Sequence, residues 1–429
     1  MRSSGLLLAC ICLAACSGSG PTLTPPPVVA RGALQSYIEV GVLTTTQLAA
    51  APAAPFITPF GGAPQCSVAV YRVKYTTVGV RGAPANASAG VFIPQSGCAG
   101  PYPLLGFGQG TNLFKLPPIN STIPDEQTLD LALVYGSQGY VAAATDYLGL
   151  GLSAYSYHPY LQAQTEASAV VDSMRAARNL AKVLGVSLSG QVMLAGASQG
   201  GHTAMAAQRE IEAHNASEFQ LAGDAATSGP YDLLSSVNFV IDTQNPAGPG
   251  LLAYLLTGFQ NTYGNLYGSG GATTVFQAPY ASTIDTLLPL PTASQAPELA
   301  TDLPAETTSL LQPAFLTSLG VSSSPVDFDI AENSLLGGWK PVAPVYLCGA
   351  HIDPLVTYTN ATEAQAYFTG LGATSTIVDD SSYVPSSFTG NLIHVADCII
   401  CEALSRANFL DTLKADWSSR RSLRAQAAR

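Results

Sequence analysis

The sequence predicts an α/β fold in which a mostly parallel, doubly wound sheet is interrupted by a long helical insertion. Strand-like and helical patterns alternate along residues 67–226. A glycine-flanked serine, in Gly196-Ala197-Ser198-Gln199-Gly200, stands between an apolar strand pattern and a helical pattern. Strand patterns resume only after residue 340. Strands that alternate with helices specify a parallel sheet covered by helices on both faces.

The first half of the chain supplies most of the predicted sheet. Its predicted strands fall at residues 67–77, 87–94, 103–107, 140–146, 192–195 and 219–226. Its predicted helices fall at 124–135, 161–184 and 200–213. The run at 103–107 is apolar throughout, as expected for a strand that is buried on both faces.

Residues 229–340 are too many for an unstructured loop inside a domain. Their short helical patterns predict a helical insertion, and an independent second domain is the alternative. The sheet then resumes, with a strand at 341–348, a helix at 360–369, a strand at 374–378 and a final helix that ends near Trp417. The predicted domain plan is a first core part at 33–228, the insertion at 229–340, a second core part at 341–417 and a basic, solvated tail at 418–429.

The composition limits the partners of this chain of 429 residues. Charged residues make up 10% of it, against about 25% in typical soluble domains. The net charge of −11 argues against a nucleic-acid partner. A surface with so few charges suits an exported protein that handles neutral or apolar compounds.

The N-terminus predicts export. An apolar run at residues 5–15 follows Met1-Arg2 and is too short for a permanent membrane helix. It ends in Leu13-Ala14-Ala15-Cys16, which resembles the lipobox of bacterial lipoprotein signal peptides. We therefore expect a signal peptide at 1–15, a lipid on Cys16 and a tether at 16–32; an ordinary secretory signal cut a few residues later is the alternative. The predicted location is the bacterial cell envelope, as a lipid-anchored protein of the outer membrane or cell surface, or outside the cell, with membrane contact only through the N-terminal anchor.

The cysteines that follow Cys16 are expected in an oxidising compartment. Cys66 and Cys98 flank two consecutive strand patterns, which favours a disulfide between them. Cys398 and Cys401 have zinc-knuckle spacing, but no second pair accompanies them, so a local disulfide or two buried free thiols is expected instead of a metal site. Cys348 lies in an apolar strand pattern and is expected to be a buried free thiol.

Ser198 is the predicted nucleophile. A sharp turn between a strand and a helix lifts the serine hydroxyl above the sheet edge, and the flanking glycines leave room for that turn. The same turn directs the Gln199 N–H toward the space where a developing oxyanion would lie. The alternative is a turn of small residues without chemistry.

A serine hydroxyl needs a base and an acid that orients the base. We predict His394 as the general base, because it follows the last predicted strand, and Asp353 as the acid, because it follows the strand after the insertion. The expected chain order of Ser, acid and His is met. The weaker candidates are a loop histidine, His351, the acids Asp379 and Asp380 of a solvated turn, Asp397 one turn from His394, and His202, which we expect to pack behind the nucleophile.

A second oxyanion donor is expected from the loop after the third predicted strand, Gly108-Gln109-Gly110-Thr111. A glycine there lets the backbone come close to the substrate oxygen. We therefore assign the second donor to the Gly110 amide, which would act with the Gln199 amide.

Several motifs together resemble the secretory lipase family of α/β-hydrolases, that is, the yeast lipase A-like enzymes and their bacterial relatives. The motifs are GFGQGT, ATDYLGLG, DSMRAARNL, GASQGGH, GAHIDPLV and the late His394. The resemblance extends over residues 65–409 and is weakest across the insertion. It implies an α/β-hydrolase core with a helical cap, hydrolysis of carboxylic esters from short acyl esters to triacylglycerols, and no cofactor. The family residues map onto Ser198, Asp353 and His394, whereas Gln109 stands where bacterial members often have His.

The sequence therefore predicts an exported serine hydrolase that cleaves small-molecule or lipid esters through an acyl-enzyme, without metal or cofactor. A serine peptidase or an acyltransferase with the same triad is the first alternative. A catalytically silent surface-binding protein on a hydrolase scaffold is the second, since a fold alone does not fix a function.

Overall fold

The computed structural model describes residues 30–119, 125–288 and 302–427, with side chains described up to residue 420. The predicted signal peptide, Cys16 and all but the end of the predicted tether lie outside these residues. Within the described ranges, no helix combines the length and the apolarity needed to cross a membrane.

The described residues form one nine-stranded sheet. Its strands are β1 Leu34–Leu43, β2 Val68–Val78, β3 Pro84–Pro94, β4 Tyr102–Gly108, β5 Val141–Thr145, β6 Leu188–Ala197, β7 Gln220–Thr227, β8 Val345–Gly349 and β9 Ser375–Asp379. Their order across the sheet is β1-β2-β3-β5-β4-β6-β7-β8-β9. The pairs from β1 to β5 are antiparallel, and all pairs from β5 to β9 are parallel. The predicted mostly parallel α/β fold is confirmed.

Helices cover both faces of this sheet. The α-helices before the insertion are Thr45–Ala49, Ala54–Gly61, Glu126–Val134, Ala163–Leu184 (the long helix) and Gln199–Glu210 (the nucleophile helix). Those after it are Thr359–Gly370, Leu392–Ser405 (the histidine helix) and Asp411–Ala427.

Two apolar layers enclose the sheet, and strand β6 contributes to both. Leu194 packs with Val170 and Met174 of the long helix on one face. Met193 packs on the other face with Leu133 of the helix Glu126–Val134. Neighbouring residues of a strand point to opposite faces, so the apolar run 192–195 of β6 is buried on both.

The chain between β7 and β8 is helical, as predicted. Its described α-helices are Leu233–Thr243, Gly248–Tyr263, Ile284–Leu287, Thr307–Leu310, Pro313–Leu316 and Pro325–Asn333. They share an apolar cluster of their own around Tyr254 and Phe276. The Leu335 N–H donates to the Tyr231 carbonyl oxygen at 2.8 Å, so the two ends of the insertion meet beside the sheet.

Elements near both ends of the described chain depart from the sequence prediction. Strand β1 and the helices Thr45–Ala49 and Ala54–Gly61 had no predicted counterpart. Strand β1 is an edge strand that pairs only with β2, and most of its residues are exposed. The last helix continues to Ala427, past the predicted end near Trp417.

The disulfides confirm one pairing and correct two. Cys66 and Cys98 are bonded, as predicted. Cys348 is buried but is not a free thiol, since it is bonded to Cys401, and Cys398 is the thiol that remains free in the described residues. Cys398 and Cys401 therefore form neither a local disulfide nor a pair of free thiols. The bond to Cys401 joins β8 to the histidine helix.

Candidate active site

The turn at Ser198 has the backbone of a nucleophile elbow. Ser198 has φ 59° and ψ −127°, a region that side-chain-bearing residues rarely adopt and that costs about 1–3 kcal/mol. A Cβ on Gly196 would lie 2.2 Å from the Gly200 oxygen, and one on Gly200 would lie 2.0 Å from the Gly108 oxygen. Both positions therefore require glycine, because strand and helix touch there through their backbones.

Ser198, His394 and Asp353 lie in hydrogen-bond contact. The His394 Nε2 is 2.9 Å from the Ser198 Oγ, and the His394 Nδ1 is 2.6 Å from the Asp353 Oδ2. His394 lies in the first turn of the histidine helix and is 7% exposed. The three side chains are brought together although Ser198 and His394 are 196 residues apart in the chain.

Asp353 is held by its own loop. Its Oδ1 accepts hydrogen bonds from the Leu355 N–H at 2.8 Å and the Val356 N–H at 3.1 Å. Its Oδ2 faces the imidazole of His394, so both oxygens have partners. This arrangement fixes His394 with a proton on Nδ1 and leaves Nε2 to accept the Ser198 proton.

The surroundings of His394 favour its charged form. Burial lowers the pKa of the imidazole, but the neighbouring Cys398 sulfur and the Asp353 carboxylate raise that pKa by more, so it lies well above the ordinary value. Burial raises the pKa of the Cys398 thiol to about 11. Because this thiol is neutral near neutral pH, Asp353 is the negative charge that stabilises the imidazolium there.

The two assigned oxyanion residues lie beside Ser198. Gln199 is the first residue of the nucleophile helix, where a backbone N–H has no partner within the helix. A Cβ on Gly110 would lie 3.9 Å from the Ala197 oxygen, which places the Gly110 backbone against the elbow. The Gln109 side chain points away and donates to the Thr145 oxygen at 2.5 Å.

The competing acids and His351 do not contact Ser198. His351 is exposed, and its Nδ1 is 2.9 Å from the Asp379 Oδ2. Asp380 is fully buried and not part of a solvated turn, which corrects the sequence prediction, and Asp397 is buried as well. Burial raises the pKa of Asp380 to about 6 and that of Asp397 well above its ordinary value.

A cavity of about 570 Å³ opens onto Ser198 and His394, a typical size for a small-molecule site. One part of it is apolar and is lined from the insertion by Leu233, Val237, Val240, Leu251, Leu252 and Leu255. Another part follows the histidine helix from His394 past Cys398 to Glu402, a rise of about 12 Å. Core and insertion therefore enclose one space around the serine.

Three carboxyl groups line the cavity, those of Glu126, Asp130 and Glu402. Burial and the neighbouring carboxyls raise the pKa of Asp130 to about 7, and burial and Asp130 raise that of Glu402 to about 8. Near neutral pH, Glu402 is therefore mostly protonated and Asp130 about half protonated.

Comparison with known protein families shows which family the chain belongs to. The model of the secretory lipase family matches residues 125–402. The chain belongs to the secretory lipase family. Members of this family hydrolyse carboxylic esters, and so this lipase is a carboxylic ester hydrolase.

Solved structures agree with this assignment. The rice cell wall degrading esterase LipA from Xanthomonas oryzae is 36% identical, with a TM-score of 0.80 over 90% of this chain and 100% of that chain. Candida antarctica lipase A is 17% identical, with a TM-score of 0.60 over 87% of this chain and 85% of that chain, and so supports the fold alone. None of the curated proteins matches significantly.

Two groups of potential metal ligands occur in the described part of the lipase. Cys348, Asp380 and Cys401 form one, but a disulfide removes both thiolates that a metal would need. Asp353, His394 and Asp397 form the other, and there the Asp353–His394 hydrogen bond already occupies Nδ1.

The sequence did not single out Glu166 and His158. Glu166 is 1% exposed, and its Oε1 lies 2.6 Å from the Gln199 Nε2. His158 is also 1% exposed, and its Nε2 lies 2.9 Å from the same nitrogen. His202, which was expected to pack behind the nucleophile, is fully buried and lies 2.9 Å from Glu166. An acid near the start of a helix is commonly exposed, so no sequence pattern indicated this buried cluster.

Proposed function

We propose that this lipase hydrolyses esters through a Ser198–His394–Asp353 triad and an acyl-enzyme intermediate. The observation that carries the proposal is the continuous chain of contacts, 2.9 Å from Ser198 to His394 and 2.6 Å from His394 to Asp353. The strained elbow at Ser198 and the cavity above it support the same chemistry.

In the first half-reaction, the Ser198 oxygen attacks the ester carbonyl carbon while the His394 Nε2 takes the serine proton. The amides of Gln199 and Gly110 stabilise the oxyanion of the tetrahedral intermediate. Asp353 orients the imidazolium. His394 then gives its proton to the alcohol oxygen as the bond from carbon to that oxygen breaks.

In the second half-reaction, water attacks the acyl-enzyme and passes a proton to His394. The intermediate collapses, the acid leaves, and His394 returns the proton to the Ser198 oxygen. The protons balance over the cycle, and the net reaction is ester plus water to acid plus alcohol.

The apolar part of the cavity suits the acyl chain of the substrate. Its lining from the insertion is mostly leucine and valine, with Pro230, Ser236 and Ala247 beside them. Such a lining favours apolar chains because it removes their surface from water. We therefore assign the insertion as the cap that selects the acyl group. A peptidase or an acyltransferase on the same triad would differ in leaving group or acceptor.

Hydrolysis of p-nitrophenyl butyrate by wild type and by Ser198→Ala tests the proposal. The variant should lose essentially all turnover while its thermal unfolding stays near that of wild type. A fluorophosphonate should label Ser198 in the wild type and no serine in the variant. Turnover that persists in the variant would remove Ser198 from the mechanism, and faster cleavage of a matched butyramide would favour the peptidase.

We further propose that the protein is exported and anchored by a lipid on Cys16. Its membership in a family described as secretory and its two disulfides support export. Cys16→Ala should move the protein out of the membrane fraction of the producing cells. An unchanged membrane fraction would exclude the lipid anchor.

A further inference from the structure

A buried carboxylate, Glu166, lies directly behind the proposed oxyanion site. Its Oε1 accepts from the Leu161 N–H at 3.0 Å and the Gln199 Nε2 at 2.6 Å. Its Oε2 contacts the His202 Nδ1 at 2.9 Å and accepts from the Thr203 hydroxyl at 3.0 Å. These four partners hold a side chain that is only 1% exposed.

His202 contacts the same carboxyl group. Its Nε2 is 2.8 Å from the backbone oxygen of Asn333, and its Nδ1 is 2.9 Å from the Glu166 Oε2. A carbonyl oxygen only accepts hydrogen bonds, so Nε2 donates to Asn333. His202 therefore forms a fully buried, hydrogen-bonded pair with Glu166.

The contacts of His158 require a neutral imidazole ring. Its Nδ1 donates to the Leu148 oxygen at 3.0 Å, and its Nε2 faces the Gln199 amide nitrogen at 2.9 Å. Since that nitrogen is a donor, the His158 Nε2 must accept and the ring is neutral. Both hydrogens of the Gln199 amide are then used, one on His158 and one on Glu166. This fixes the residue whose backbone N–H is the first proposed oxyanion donor.

A second path leads from Glu166 to the other proposed donor. The Thr203 hydroxyl that donates to Glu166 lies 3.1 Å from the Tyr147 hydroxyl. The Tyr147 hydroxyl is also 2.8 Å from the Gln109 backbone oxygen. Gln109 immediately precedes Gly110, so the same carboxylate supports the loop that carries the second donor.

The network also reaches the insertion. Asn333, whose oxygen accepts from His202, is the last residue of the helix Pro325–Asn333. Its side-chain Nδ2 donates to the Tyr263 hydroxyl at 2.8 Å, and its Oδ1 accepts from the Ala163 N–H at 3.0 Å. The contact between Glu166 and His202 therefore joins the nucleophile helix, the long helix and two helices of the insertion.

We propose that Glu166 is a positioning residue that aligns both oxyanion donors, Gln199 directly and Gly110 through Thr203 and Tyr147, and ties that alignment to the insertion through His202. The inference rests on the proposed serine mechanism. The effect of Glu166 on the geometry of the two donors is the role that the contacts support.

Glu166→Gln tests the inference, because it keeps the shape and removes the charge. We expect kcat on p-nitrophenyl butyrate to fall about tenfold to a hundredfold, since small misplacements of oxyanion donors have effects of that size. KM should stay within about twofold, because the donors act mainly in the transition state. Labelling by a fluorophosphonate should slow by a similar factor.

Asp172→Asn is the matched control. Asp172 is a fully buried acid on the same long helix, about 9 Å further along it, where it binds Arg31, Arg175 and Thr77. This change should lower thermal stability and leave kcat near that of wild type. A kcat loss equal in both variants would reduce Glu166 to a purely structural role and overturn the inference.

Thr203→Val provides a milder variant in case Glu166→Gln does not fold. It is nearly isosteric and removes the hydroxyl that donates to Glu166 and contacts Tyr147, while Gln199 and His202 keep their contacts with Glu166, so kcat should fall severalfold at unchanged KM. Wild-type kcat in every folded variant would refute the positioning role. Absence of activity in the wild type would instead refute the proposed function, which separates the two failures.

Discussion

His394 can accept the Ser198 proton only when its imidazole is neutral. The negative charge of the Asp353 carboxylate raises the pKa of the imidazole above its ordinary value. The fraction of enzyme that carries a neutral His394 therefore grows as the pH rises through that raised pKa.

We expect the acidic limb of the kcat/KM profile for p-nitrophenyl butyrate to lie above about pH 6.5, the ordinary histidine pKa. Initial rates measured in a series of buffers between pH 5 and pH 9 give the position of this limb. Circular dichroism at each pH provides the control for unfolding. A limb at or below the ordinary value would contradict the assignment of His394 in this environment.

At the residue scale, position in the fold made the contacts among Ser198, Asp353 and His394 predictable. Ser198 follows β6, Asp353 follows β8 and His394 follows β9, and such strand ends meet at one edge of a parallel sheet. Glu166 offered no such signal. It lies near the start of a helix, where acids commonly interact with the helix dipole at the surface. Only the packing of three other elements around it buries it against His202.

At the scale of elements, the disulfide between Cys348 and Cys401 ties together the two segments that carry Asp353 and His394. Cys348 is in β8, and Asp353 follows it five residues later. Cys401 lies about 10 Å along the histidine helix from His394. The bond therefore limits how far the acid and the base can separate.

Removing this disulfide should lower activity as well as stability. The bonds close loops of 53 and 32 residues, for which chain entropy predicts a loss of about 4 kcal/mol in each case. We expect Cys348→Ala/Cys401→Ala to lower both stability and kcat, and Cys66→Ala/Cys98→Ala to lower stability alone. Urea unfolding and kcat at a temperature where both variants are folded measure the two effects. Equal kcat values for both double variants would show that the bond does not hold the site.

Buried elements were predictable and edge elements were not. The apolar strands β4 and β6 are buried on both faces, so their sequences gave clear signals. Strand β1 has a mostly exposed row of residues, and its pairing with β2 decides its conformation. The Cys348–Cys401 pairing was also beyond the sequence, because cysteine spacing does not fix connectivity.

At the scale of the whole molecule, buried carboxyl groups set the response of stability to pH. The pKa values of Asp130 and Glu402 are raised to about 7 and about 8 in the fold, whereas both groups are ionised above about pH 5 in an unfolded chain. Between pH 5 and pH 8 the folded state therefore binds more protons than the unfolded state. The free energy of unfolding falls as the pH rises through this range.

Glu402→Gln isolates one of these groups. The variant should gain stability relative to wild type as the pH rises from 6.5 to 8.5, because it has no proton to lose at that position. Thermal unfolding of both proteins at four pH values across this range measures the difference. Glu218→Gln at the surface is the control, and a pH-independent difference between wild type and Glu402→Gln would contradict the raised pKa.

The insertion leaves the sheet after β7 and returns at β8, and these two strands are direct neighbours. Its ends are already joined by the hydrogen bond between Leu335 and Tyr231. A segment with such closely spaced attachment points can be exchanged for another of different length without moving β7 and β8, provided that Asn333, which contacts His202, is kept. If the insertion selects the acyl group as proposed, acyl preference is a transplantable property, and chimaeras that swap residues 232–332 are a direct route to new specificities.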